Sequence, residues 1–229
     1  MIFFLFLVLL YTYAQRLVWY NTYIKKIRGE CMSANKINKL VIIASSTGGP
    51  KALHKTIPML SKRLDAPVIV VQHMPKGFTA TLAERLNDTS EIKVSEAVDG
   101  EILEKGHVYL ARGGTHLILT RNADGRIITR EDFSEPVNGL RPCADITFSN
   151  IADLKVNDIV CAVLTGMGSD GCEGIRNLRK KQKIYTIAQH KDTCVVYGMP
   201  KAIVENDMAD VVLPLEEIGK EITRKVGVF

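Results

Sequence analysis

Apolar residues in this chain gather into short uninterrupted runs, and the stretches between them carry helical spacing. Leu40–Ala44, Pro67–Val71, Ile159–Leu164 and Ile184–Ala188 are predominantly apolar and β-branched, as strands buried on both faces of a parallel sheet should be. Between the second and later runs, Phe78, Leu82 and Leu86 recur on one face of a helix predicted over Phe78–Asn87. Pro50 suits the first position of a helix that follows the first run, and Pro58 disturbs that helix further on. Strand and helix therefore alternate, which points to an α/β fold.

The rhythm changes in the middle. Lys93–Ala97, His107–Ala111, His116–Thr120 and Arg126–Arg130 are short runs broken by turn residues, and the last two read as an antiparallel hairpin around Asn122–Gly125. Helical spacing returns over Pro142–Leu154, from Gly171 to Lys181, near Met199–Asn206 and after Pro214, with a further strand at Val211–Leu213. The expected architecture is a doubly wound, mostly parallel sheet with helices on both faces and an inserted hairpin. A chain of 229 residues suits one such domain.

The first forty residues stand apart. MIFFLFLVLL is apolar, yet Gln15 and Arg16 interrupt the segment before it reaches the roughly 20 residues of a membrane span, and no charge precedes it as in a signal peptide. If it inserts, the basic group Lys25, Lys26 and Arg28 would keep the following domain in the cytoplasm. Alternatively, Met32 is the natural start. Residues 1–37 are thus read as an extension and 38–229 as the working domain. The formal charge of +5 lies within the first forty residues, leaving the remainder balanced; no basic face for nucleic acid is expected.

Cys31, Cys143, Cys161, Cys172 and Cys194 are widely spaced and lack a C-x-x-C pair, as buried small residues in a reducing compartment would. The five histidines show no metal-binding spacing, so neither a metal nor a cofactor is implied. The turn after the first strand, Ser45-Ser46-Thr47-Gly48-Gly49, lacks both the G-x-G-x-x-G of a dinucleotide site and the G-K-[ST] of a phosphate loop. It is either a small-residue βα connection or the seat of a serine nucleophile.

His73 and Asp170 also follow buried strands. The ends of parallel strands share one edge, so Ser46, His73 and Asp170 can meet there. A histidine can take the serine's proton and an aspartate can orient the ring, in any chain order. Each residue has a plainer alternative: His73 as a loop histidine, Asp170 as a cap for the helix beginning at Gly171.

The motifs STGG (Ser46–Gly49), QHMP (Gln72–Pro75), LTGMGSDG (Leu164–Gly171) and CVVYGMP (Cys194–Pro200) resemble the catalytic domain of the CheB chemoreceptor methylesterases. KGF after the histidine motif, the A-x-DGE around Val98 and RPCAD at Arg141–Asp145 extend the resemblance, which covers about residues 38–226. It implies hydrolysis of glutamyl methyl esters on cytoplasmic helices of methyl-accepting chemotaxis receptors, with glutamine deamidation as a second activity. It further implies Ser46 as nucleophile, His73 as base, Asp170 as its partner, and the backbone N–H groups of Thr47 and Met167 as oxyanion donors.

Ser45 departs from the family's usual alanine and is expected to point away from the nucleophile, because adjacent strand residues face opposite sides. The residues before the first strand are too few for the receiver domain that family members commonly carry. The expectation is a free-standing cytoplasmic esterase domain, regulated, if at all, by a separate response-regulator receiver. The alternative is a receptor-binding or scaffolding module that keeps the fold without the chemistry.

Overall fold

A computed structural model describes residues 37–229. The apolar leader, its basic group, Cys31 and the alternative start at Met32 lie outside the described residues. Among the described residues, no helix is long and apolar enough to cross a membrane.

The centre is β1 (Lys39–Ser45), whose residues from Leu40 to Ser45 are buried without a break. It pairs in parallel with β2 (Val68–Gln72) on one side and β7 (Asp158–Val163) on the other. Outward from β2 lie β4 (His107–Leu110) and β3 (Lys93–Glu96); outward from β7 lie β8 (Ile184–Gln189) and β9 (Val211–Leu213). All seven strands run parallel, in the order β3-β4-β2-β1-β7-β8-β9. The predicted hairpin forms separately as β5 (His116–Arg121) and β6 (Ile127–Asp132), an antiparallel pair closed by a turn in which Asn122 Oδ1 accepts from the N–H groups of Asp124 and Arg126.

Alternate side chains of β1 enter two cores, as the pleat requires. Val41 and Ile43 pack with α1 (Gly49–Thr56), α2 (Phe78–Asp88) and α6 (Leu215–Val226). Leu40, Ile42 and Ala44 pack with α3 (Ala144–Ile151), α4 (Cys172–Lys181), α5 (Met199–Glu205) and the inner face of the hairpin. Truncating a fully buried Ile42 or Ile43 to alanine should cost about 2–5 kcal/mol. The sheet is thus covered on both faces.

The expected elements form, with shifts at their ends. The helix expected over Pro142–Leu154 is confined to Ala144–Ile151, because Cys143 is extended and only the residue after it turns into the helix. Gly171 is the left-handed residue before α4, which therefore begins at Cys172.

Candidate active site

Ser46 is the first residue beyond β1. Its N–H donates at 3.0 Å to Thr165 O, two residues beyond β7, and its carbonyl accepts from Gly49 N at 2.8 Å. The chain then turns through Gly48, whose φ of +83° suits glycine, and a Cβ there would lie 2.6 Å from Val195 Cβ. Thr165 ties this turn to its neighbours: its hydroxyl donates to Thr47 O at 3.0 Å and accepts from Val196 N at 2.9 Å. Gly166 packs close to the serine: a Cβ there would stand 2.8 Å from Ser46 Cβ.

His73 follows β2, with its N–H donating to Ser45 O at 3.1 Å. Asp170 ends the loop after β7. The two meet: His73 Nε2 and Asp170 Oδ2 lie 2.6 Å apart, with side chains 8% and 6% exposed. Asp170 is also held by Ala144 N (2.6 Å), Asp145 N (2.9 Å), Gly171 N (3.0 Å) and the Cys143 thiol (3.1 Å). Burial alone would raise this carboxyl, but the bonds from His73 and from the start of α3 outweigh it and hold the pKa at about 2. Asp170 does bind Gly171 N, as a cap would, yet the same carboxylate caps α3 and faces His73.

With Asp170 ionised, the His73 proton belongs on Nε2, and Nδ1 is left as the ring's acceptor. Ser46 stands on the same sheet edge; in this resting geometry its hydroxyl is not hydrogen-bonded to the ring. Such bonds commonly tighten only with substrate in place. Among the described residues, the backbone N–H groups of Thr47 and Met167 have no intramolecular acceptor. Met167 itself is 75% exposed.

Three features of the site, two single residues and one pair, are not announced by the motifs. Asp145 reciprocates the capping: its Oδ1 accepts from Gly171 N (2.9 Å) and Gly174 N (2.6 Å), so α3 caps α4 while Asp170 caps α3. Burial pushes the Asp145 carboxyl up to about 6, the bond from Gly174 opposes this, and the charge of Asp170 adds to it. Cys143 is more than a buried small residue. Burial and the adjacent Asp170 push its pKa up to about 12, keeping it a thiol that donates. The third is the pair Ser45 and Gln72. As expected, Ser45 points away from the Ser46 side chain, and it donates to Gln72 Oε1 at 2.7 Å.

Cys143, Asp145 and Asp170 bring their ligand atoms within 4.8 Å of one another. Both oxygens of Asp170 already accept from N–H groups, and the thiol is protonated. The donor set therefore reads as a hydrogen-bond network and offers a cation little.

The chain matches the family model described as CheB methylesterase over residues 41–222. A protein-glutamate methylesterase/protein-glutamine glutaminase 1 of Syntrophomonas wolfei is 47% identical over 190 residues, covering 82% of this chain and 54% of that protein. A protein-glutamate methylesterase/protein-glutamine glutaminase of Archaeoglobus fulgidus is 45% identical over 205 residues, covering 88% of this chain and 58% of its own length. The chain thus spans little more than half the length of these relatives. Among solved structures, the Thermotoga maritima CheB methylesterase catalytic domain superposes with a TM-score of 0.78 at 43% identity, covering 82% of this chain and 98% of that one. Sequence, fold and strand-end geometry agree, and the chain belongs to the CheB methylesterase family.

Proposed function

We propose that this chain is a serine hydrolase that removes methyl groups from glutamyl esters of methyl-accepting chemotaxis receptors and releases methanol. Ser46 Oγ attacks the ester carbonyl while His73 Nδ1 takes its proton. Asp170, ionised at neutral pH, stabilises the imidazolium through Nε2. The developing oxyanion is received by the unoccupied N–H groups of Thr47 and Met167. The His73 proton then passes to the departing methoxide, and water, deprotonated by the same ring, cleaves the acyl-enzyme to glutamate. Replacing methanol by ammonia as the leaving group gives glutamine deamidation by the same steps.

The observation that carries this reading is the buried 2.6 Å pairing of His73 with Asp170 at the sheet edge shared with Ser46. The names of the relatives, which give both activities, support it. Incubation with methylated receptor membranes should release methanol, and Ser46→Ala should reduce turnover by on the order of 10⁶. Receptor binding without methanol release would instead favour the scaffolding module.

A further inference from the structure

Ser46 and His73 are not joined by their own side chains, so their separation depends on the backbone that carries them. One side chain reaches both pieces of that backbone. Gln72, the last residue of β2 and 1% exposed, directs both hydrogens of its amide at carbonyls: Ser46 O at 3.0 Å and His73 O at 3.0 Å. Carbonyls only accept, so this fixes which way the amide faces. Its oxygen is then left needing a donor inside the protein, and Ser45, its register partner on β1, supplies one at 2.7 Å. The fit leaves no slack, for a Cβ on Gly49 would stand 1.9 Å from Gln72 Oε1.

We infer that Gln72, kept in orientation by Ser45, is a positioning residue that sets the distance between the nucleophile and its base. The inference rests on the assignment of Ser46 and His73 above. Neither Ser45 nor Gln72 touches the reacting atoms. What they control is geometry, where a displacement of about 1 Å can cost about 10²-fold in rate.

The test uses the full chain and p-nitrophenyl acetate, with rates referred to folded protein. Gln72→Met keeps the volume but removes all three bonds, and should lower kcat by about 10²-fold while KM stays within about twofold. Ser45→Ala removes only the donor to Gln72 and should lower kcat about fivefold, again with little change in KM. Adding Ser45→Ala to Gln72→Met should cost nothing further, because the two act through one bond. Losses confined to KM, or a kcat unchanged in Ser45→Ala, would overturn the inference, and the latter does so even if Gln72→Met fails to fold. Ser46→Ala separates the two levels: retained turnover there overturns the nucleophile and this inference together, whereas a dead Ser46→Ala beside an unimpaired Ser45→Ala overturns this inference alone.

Discussion

On the β1–β2 side of the site a neutral amide grips the backbone; on the α3–α4 side two carboxylates do. Gln72 spends its donors on the carbonyls of Ser46 and His73, while Asp170 and Asp145 spend acceptors on the N–H groups that begin α3 and α4. The difference follows from which groups each element leaves unpaired. At these two strand ends the N–H groups of Ser46 and His73 are already paired, so the carbonyls are what take a donor; helix N-termini present N–H groups and accept negative charge. The sheet side therefore holds the backbone of Ser46 without any charge, and the helix side places a charge against His73. The neutral grip should be insensitive to pH, the charged one sensitive.

Among changes to the two grips, the largest expected effect removes the charge and leaves the shape. Asp170→Asn should keep the fold but lower turnover by about 10⁴, as in other triads where the aspartate was so changed. Asparagine also turns an NH₂ toward N–H donors that expect an oxygen. Turnover on receptor membranes, with circular dichroism to establish folding, checks this. Near-normal turnover would reduce Asp170 to a helix cap and erase the contrast between the two sides.

A smaller effect should come from Gly49→Ala, which disturbs the neutral grip while leaving its polar groups in place. Helix propensity alone favours the change by about 1 kcal/mol, since Gly49 opens α1. The new Cβ, however, would stand 1.9 Å from Gln72 Oε1 and 2.9 Å from Ser45 Cβ. Both belong to packed strand ends, so displacement should win: kcat falls by about 10-fold to 10²-fold and the melting temperature drops. A variant that is more stable and fully active would show that Gln72 moves freely.

Much of this was legible in the chain, for a reason particular to parallel sheets. Runs such as Leu40–Ala44 announce buried strands, and strand ends converge, so Ser46, His73 and Asp170 fall on one edge without any knowledge of strand order. Family motifs then singled out Ser46 over Ser45. The capping exchange was not legible. Asp145 and Asp170 are 25 residues apart, and only the packing of α3 against α4 brings each carboxylate to the other's helix. Cys143 gave no signal either, because a buried thiol that donates to a carboxylate has the same sequence appearance as one that merely fills space. Gln72 lay inside a quoted motif, but its use depends on a register in which it faces Ser45, and register is invisible to hydrophobic pattern when a strand is buried on both faces.

The smallest expected effect separates the two carboxylates by pH. Asp145 rises from an ordinary 3.8 to about 6 in the folded protein, so between about pH 4 and 6 the native state holds more protons than the unfolded chain. Stability contributed by this group is present at low pH and is lost as pH rises through that window. Asp170 behaves oppositely: held at about 2, it stabilises above about pH 4 and loses that contribution only in stronger acid. A comparison at pH 5 and pH 7.5 therefore isolates Asp145. Asp145→Asn keeps an oxygen for Gly171 N and Gly174 N and removes the charge beside Asp170. The variant should melt about 2–4 °C above the parent at pH 7.5, with the gap roughly halved at pH 5, the middle of that window, and closing only below about pH 4. The opposing influence is the pair of helix N-termini, which favour an anion by about 0.3–1 kcal/mol. Burial and the neighbouring negative charge outweigh it, as the upward shift of Asp145 indicates. Thermal melts of both proteins at the two pH values decide the matter: a variant less stable than the parent at pH 7.5 would mean that the helix termini dominate and that the charged side tolerates two carboxylates as readily as one.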